Sequence, residues 1–190
     1  MHHLPANAAL ISIDVQQAFD DPVWGQRNNP DAERNIAILL DAWRSGPRPL
    51  FHIQHRSPRP GSLFHPDRPG YRHKPEGMPL AGEPVLFKSV NSSFIGTDLE
   101  ARLRAAGIEV LVIMGLTTDH CVSTTTRMAG NFGFETYFVG DATATFERTG
   151  PDGRHFTAED MHDTALASLH GEFATVVTTR EVLAALEKGE

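Results

Sequence analysis

The chain carries a single cysteine, Cys121, and no cluster of lysine or arginine residues. One cysteine cannot form an internal disulfide, so a reducing compartment is favoured and we expect a cytoplasmic protein. The formal net charge of -7 argues against nucleic acid or an acidic membrane surface as a partner. No apolar run approaches the roughly 18 residues of a membrane span. The first residues also lack the basic and apolar regions of a signal peptide.

What the sequence does contain is a regular alternation of apolar runs and helical patterns. Its length of 190 residues is typical of a single domain, and we predict one domain over residues 1–190. Six apolar runs predict strands at 8–15, 49–54, 83–89, 110–114, 134–140 and 173–178. Helical spacing of apolar residues predicts helices at 32–44, 98–106, 119–131, 157–170 and 180–186. Such alternation is typical of a three-layer α/β/α, Rossmann-like fold with about six parallel strands and helices on both faces.

Residues 55–82 interrupt this alternation. The segment is rich in proline, glycine, histidine and arginine and has no apolar period. A loop of this length in a small domain is usually functional or disordered. We interpret it as a lid or rim over a site or as an oligomer contact, and a plain surface loop is the alternative. A second loop is predicted at 141–154.

Three reactive side chains fall at or just past the C-terminal ends of predicted strands: Asp14, Lys88 and Cys121. Open α/β sheets bind ligands at that edge, so we expect the three side chains to meet there. Cys121 also falls in the first turn of a predicted helix, where the helix dipole lowers the pKa of a thiol. Taken singly, the three also suit a turn carboxylate, a solvated lysine and a small buried hydrophobe. Together they indicate nucleophilic catalysis.

Three motifs carry a family resemblance: IDVQQAF with Asp14, LFKSVNSSFIGTDL with Lys88, and GLTTDHCV with Cys121. With these motifs in this order, the sequence from about residue 8 to 186 resembles the isochorismatase-like cysteine hydrolases. The resemblance implies a catalytic triad of Asp14, Lys88 and Cys121. It implies a cis peptide bond between Leu116 and Thr117, and an oxyanion hole formed by the N–H groups of Thr117 and Cys121. It also implies a small-molecule substrate and a homo-oligomer, either a dimer or a tetramer.

The family's nicotinamidase branch binds a divalent metal through an Asp-x-His motif and further histidines after the second strand. This sequence has His52, His55, His65 and His73 in that region but no Asp-x-His, so we expect no metal and no cofactor. The isochorismatase branch itself lacks the cysteine. The resemblance therefore implies a metal-independent hydrolase that cleaves a small-molecule amide, carbamoyl or lactam-like C–N bond through a Cys121 thioester. A metal-assisted, nicotinamidase-type amidase and a non-catalytic binding protein of the same fold are the alternatives.

Loop residues beside the expected triad are the candidates for a substrate pocket. Phe19, Trp24 and Phe94 flank the triad outside the predicted strands, and pockets for small ligands are mostly apolar. Gln16 joins them as a side chain that bonds either the substrate or a neighbouring loop. Asp119 is expected to be the N-cap of its helix rather than a catalyst.

Overall fold

The computed structural model describes residues 3–187 and is organised around a parallel β-sheet. The strands are β1 (Ala9–Ile13), β2 (Leu50–His55), β3 (Val85–Lys88), β4 (Val110–Leu116), β5 (Glu135–Ala144), β6 (Arg148–Thr149), β7 (His155–Phe156) and β8 (Thr175–Val177). Six of them form the parallel sheet in the order β3-β2-β1-β4-β5-β8, and β6 and β7 form a separate antiparallel hairpin. The helices are α1 (Ala32–Arg44), α2 (Leu99–Ala105), α3 (Ser123–Asn131), α4 (Ala158–Leu169) and α5 (Thr179–Glu187).

The sheet separates two apolar cores, because successive side chains of a strand point to opposite faces. In β4, Leu111 and Ile113 pack on one face with α2, α3 and α4. Val112 and Met114 pack on the other face with α1 and α5. The predicted three-layer α/β/α fold is therefore confirmed. None of the helices in the described part of the chain is long and apolar enough to cross a membrane.

The predicted boundaries differ from the structure mainly after β4. The helix predicted at 119–131 begins instead with a π-helical turn, Thr118–Val122, and continues as α3. The strand predicted at 134–140 extends to Ala144, and the loop predicted at 141–154 contains β6 and β7. The extension of β5 was not predicted, because its polar residues are typical of loops. In the structure these residues form part of the strand. Asp141, for example, accepts hydrogen bonds from the backbone and side chain of Thr179 at the start of α5.

Gly115 lets β1 and β4 approach each other just before the site residues begin. It pairs with Ile13, and its φ of +127° lies in the region that favours glycine. A Cβ atom at Gly115 would lie 2.0 Å from the Ile13 carbonyl oxygen and 2.7 Å from the Ile13 nitrogen. Both clashes involve backbone, which cannot move without separating the two central strands.

Gly115→Ala is therefore expected to lower the free energy of unfolding by at least about 3 kcal/mol, since backbone strain and overpacking add. Urea denaturation followed by circular dichroism measures the change. Gly133→Ala is the matched control, because Gly133 also has a positive φ, +79°, but no atom within 4 Å of an added Cβ. We expect that control to lose about 1–2 kcal/mol from backbone strain alone. Equal losses in the two variants would contradict the close-approach argument.

Candidate active site

The structure brings Asp14, Lys88 and Cys121 together at the carboxyl edge of the sheet. Asp14 directly follows β1, Lys88 is the last residue of β3, and Cys121 lies in the π-helical turn that follows β4. Because β2 lies between β1 and β3, the long side chain of Lys88 crosses β2 to reach Asp14. All three residues are buried, with exposures of 0%, 2% and 8%.

The carboxylate of Asp14 has one engaged oxygen and one free oxygen. Lys88 Nζ donates a hydrogen bond to Asp14 Oδ2 at 2.5 Å. Asp14 Oδ1 is buried and has no hydrogen-bond partner among the described residues. One carboxylate oxygen of Asp14, one ring nitrogen of His55 and the sulfur of Cys121 lie within 4.8 Å of one another. The free oxygen is thus the one available to take a proton from the Cys121 thiol.

Burial decides the resting charge of this cluster. It raises the pKa of the Cys121 thiol, the Asp14 carboxylate raises it further, and Lys88 opposes both. The lowered thiol pKa expected from the helix N-terminus is therefore wrong, because burial disfavours the charged thiolate. Burial lowers the pKa of Lys88, but the charge of the Asp14 carboxylate and the hydrogen bond to it oppose this, and the pKa is raised overall. The resting cluster is a neutral thiol beside an ammonium–carboxylate pair.

Hydrogen bonds hold the turn that carries Cys121 on both sides. The peptide bond between Leu116 and Thr117 is cis, and the Thr117 carbonyl accepts hydrogen bonds from the backbone N–H groups of His120 and Val122. The Thr117 N–H itself has no acceptor among the described residues. On the far side, Thr118 Oγ1 lies 2.9 Å from Nδ1 of the buried His162 on α4.

A cavity of about 130 Å³ opens beside the cysteine. Phe19, Trp24 and Phe64 form its apolar wall, with ring centroids 5.0–6.3 Å apart. Phe64 comes from the loop at 55–82, so this loop contributes to the wall. The complete lining consists of Asp14, Phe19, Trp24, His55, Phe64, Asn91, Thr117, His120 and Cys121.

Two of the four predicted pocket residues lie elsewhere. Phe94 packs against Phe132 and Phe134 at the core instead of lining the cavity. Gln16 is fully buried, and its side chain bonds the backbone of the 55–82 loop and His55 rather than the cavity. The N-cap prediction for Asp119 is also wrong, since its carboxylate accepts from Thr145 and Arg148 instead.

Four lining residues were missed by sequence reasoning: His55, Phe64, Asn91 and His120. A signal for His55 was present, because it is the last residue of β2 and strand ends point to this edge. The predicted strand stopped one residue short of it. Phe64 and Asn91 lie in loops, whose path no local pattern determines.

The donors near Cys121 do not fit a bound metal ion. Asp14, His55 and Cys121 lie close enough to share one. However, the Lys88 ammonium lies 2.5 Å from Asp14 Oδ2 and 3.3 Å from His55 Nδ1, so a positive charge already occupies two of the three donors. A second cation there would meet strong repulsion in a buried site.

His73 lies beside His52, with 6.3 Å between the ring centroids, and both of its ring nitrogens are buried without a hydrogen-bond partner among the described residues. Burial, and to a smaller extent the charge of His52, lower the pKa of His73 to about 4, while Asp14 opposes them. The unfolded chain takes up this proton below a pH of about 6.5, whereas the folded protein resists it until about pH 4. Stability is therefore expected to fall as the pH falls from 6.5 towards 4.

His73→Phe should reduce this loss of stability, because phenylalanine fills the site without a titrating group. The lowered pKa values of His52, His55 and His162 account for the pH dependence that remains. Thermal unfolding at intervals from pH 7 to pH 5 measures the slope, above the range in which the lowered pKa values of Glu33 and Glu83, both about 2, begin to matter. His120→Asn is the control for removing a histidine at a half-exposed position. An unchanged slope in His73→Phe would refute this assignment.

Comparison with known proteins identifies the family to which this chain is similar. The isochorismatase domain matches residues 8–181. The isochorismatase-family protein YrdC of Bacillus subtilis is 50% identical over 175 residues, which are 92% of this chain and 94% of YrdC. A streptothricin hydrolase of Streptomyces noursei is 31% identical over 169 residues, 87% of this chain and 57% of that protein.

Solved structures agree with this assignment. An isochorismatase-family structure from Chromobacterium violaceum has a TM-score of 0.96 and 45% identity, covering 98% of this chain and 97% of its own. The family match, the close relatives and the shared fold lead to one conclusion. This chain belongs to the isochorismatase family of hydrolases.

Proposed function

We propose that this protein is a metal-independent cysteine amidohydrolase that cleaves a small amide, carbamoyl or lactam-like C–N bond. The observation that carries the proposal is the divided carboxylate of Asp14. One oxygen is paired with Lys88, the other has no hydrogen-bond partner among the described residues, and the carboxylate lies within 4.8 Å of the Cys121 sulfur in the wall of a cavity. A base next to a nucleophile, itself oriented by a third group, is the arrangement that covalent catalysis requires.

In the first half-reaction, Asp14 Oδ1 takes the thiol proton as Cys121 Sγ attacks the carbonyl carbon. Proton transfer accompanies attack because the resting thiol is protonated. The N–H groups of Thr117 and Cys121 stabilise the oxyanion, a type of contact whose loss costs roughly 10²–10³ in rate. Protonated Asp14 then passes its proton to the leaving nitrogen, the C–N bond breaks, and a Cys121 thioester remains.

In the second half-reaction, water replaces the amine. Asp14 takes a proton from the water as its oxygen attacks the thioester carbonyl, and the C–S bond breaks. The proton returns from Asp14 to the sulfur, so the net change is an amide and a water becoming an acid and an amine. Lys88 stays protonated throughout and stabilises the charged form of Asp14.

The cavity indicates the kind of acyl group. Its wall is aromatic, and its volume of about 130 Å³ suits a small, flat, uncharged group rather than a large polar one. A wider groove of about 650 Å³ adjoins it through His55 and Asn91 and leaves room for a larger leaving group. The streptothricin hydrolase among the relatives supports hydrolysis of a small molecule.

The test is hydrolysis of a panel of small amides by protein treated with a chelator. The panel contains nicotinamide, carbamoyl-amino acids, ureido acids and a cyclic lactam, with ammonia release or a mass gain of one water as the readout. We expect turnover of at least one compound, unchanged when divalent metal is added back and absent in Cys121→Ala.

Two results would overturn the proposal. Turnover that appears only when metal is restored would favour a nicotinamidase-type, metal-assisted amidase. Silence on the whole panel in both conditions, with small amides nevertheless binding in the cavity, would favour a non-catalytic binding protein of this fold.

A further inference from the structure

His55 stands at the boundary between the catalytic cavity and the adjoining groove. It lines both spaces, and its position on β2 pairs with Lys88 on β3. The side chain of Lys88 must therefore pass the His55 ring on its way to Asp14. None of the triad steps above uses this ring.

The backbone of His55 is clamped by a single side chain. Gln16 Nε2 donates to the His55 carbonyl at 3.1 Å, and the His55 N–H donates to Gln16 Oε1 at 2.9 Å. Gln16 is fully buried and lies only two residues after Asp14. The backbone of His55 is thus held beside the triad, and its ring lies 3.3 Å from Lys88 Nζ at Nδ1 and against the ring of Phe64, with 5.2 Å between the centroids.

Lys88 determines which nitrogen of the ring carries the proton. Its Nζ lies 3.3 Å from His55 Nδ1, and an ammonium can only donate, so Nδ1 must be the unprotonated acceptor. Burial and the charge of Lys88 lower the pKa of His55, while Asp14 opposes them, so the neutral ring is favoured. In a neutral imidazole that accepts at Nδ1, the proton is on Nε2.

The Nε2–H group has no acceptor within the described part of the protein. No hydrogen bond is formed by this nitrogen, and it is not among the buried unpaired atoms. It is therefore a fixed donor facing open space in the site.

We propose that Lys88 locks His55 in the Nε2–H tautomer and that this N–H binds a second acceptor atom of the substrate, a carbonyl oxygen or an aromatic ring nitrogen. Resting on the proposed function, this narrows the substrates to amides that carry such an acceptor besides the scissile carbonyl. His55 would then contact substrate directly and select it, whereas Asp14, Lys88 and Cys121 carry out the chemistry.

The tautomer is tested by NMR on protein with ¹⁵N-labelled histidine. The chain has ten histidines, and the His55 signals are those that disappear in His55→Gln. We expect the Nε2–H tautomer at pH 8, a ring that takes up a proton only below the range of a free histidine, and a mixture of tautomers in Lys88→Met. An Nδ1–H tautomer, or a ring that titrates near pH 6.5 like a free histidine, would overturn the proposal.

Substrate contact is tested by binding rather than turnover, so that it stands apart from the proposed chemistry. The protein is Cys121→Ala, and the probes are benzamide and its three ring-nitrogen analogues picolinamide, nicotinamide and isonicotinamide. Each of the three analogues carries one ring nitrogen as an acceptor, at a different position around the same ring. We expect at least one analogue to bind about tenfold tighter than benzamide, as one good hydrogen bond allows.

Two variants in the same background identify the donor. His55→Phe keeps a flat ring without a donor and should remove the tenfold advantage. His55→Gln places an amide N–H near the position of Nε2 and should keep most of it. An advantage that survives in His55→Phe, or one that no analogue shows, would overturn the contact. Binding with the expected pattern but no hydrolysis of any panel amide would instead count against the proposed function alone.

Discussion

Cys121→Ala is expected to lower kcat by roughly 10⁴-fold or more on any amide that the parent protein hydrolyses. The thioester cannot form without the sulfur, and within the described residues no second thiol exists to replace it. The free energy of unfolding should change by less than about 1 kcal/mol, because the residue lines a cavity and the loss is one small atom. Steady-state kinetics and thermal unfolding of the same preparation measure both quantities.

Cys121→Ser is the matched control for shape. It keeps an atom in the position of Sγ, but a hydroxyl is far harder to deprotonate than a thiol, and Asp14 has no group besides Lys88 to assist it. We expect a loss of at least roughly 10²-fold, smaller than that of alanine. A Cys121→Ala protein with more than about 1% of the parent kcat would remove Cys121 from the mechanism.

The sheet could be predicted from the sequence because its strands are buried on both faces. Continuous apolar runs such as 110–114, followed by glycine or an acid, identify parallel strands without any knowledge of their neighbours. The extension of β5 to Ala144 could not be predicted. It depends on a register shift opposite Gly115, where Thr143 and Ala144 pair with the end of β4, and polar residues there read as a loop.

The meeting of Asp14, Lys88 and Cys121 could be predicted for a related reason: it depends on the ends of strands, which the apolar pattern gives directly. The direction of the Cys121 pKa shift could not, because it is set by burial, which a sequence does not reveal. The positions of Phe94 and Phe64 could not be predicted from the sequence either. Both are aromatic residues in loops near the site, yet one packs into the core and the other lines the cavity. Only the path of each loop decides between them.

Lys88→Met is expected to affect stability and catalysis together. Methionine fills a similar volume but leaves the fully buried Asp14 carboxylate without its ion-pair partner. Breaking a buried pair on one side costs about 3–5 kcal/mol, so urea denaturation at pH 7 should show a loss of that size. Turnover should fall as well, since protonation of the isolated carboxylate removes the base that activates Cys121.

The pH dependence of Lys88→Met separates this cause from simple misfolding. Without Lys88 the folded protein gains by protonating Asp14, whereas the unfolded chain binds that proton only below about pH 4. The folded state therefore binds more protons, and the deficit in stability relative to the parent should shrink as the pH falls from 7 to 5. A deficit that is constant over this range would point to lost packing rather than an unpaired charge.

The double variant Asp14→Asn/Lys88→Met decides whether the pair serves stability or chemistry. With both charges gone, no buried carboxylate is left unpaired, and we expect it to recover about 2 kcal/mol or more of what Lys88→Met loses. Turnover should stay abolished, because an asparagine amide cannot take the thiol proton of Cys121. Recovery of stability without recovery of activity would mean that the ion pair is retained for catalysis. A double variant as unstable as Lys88→Met would show instead that Lys88 stabilises the fold through contacts other than Asp14.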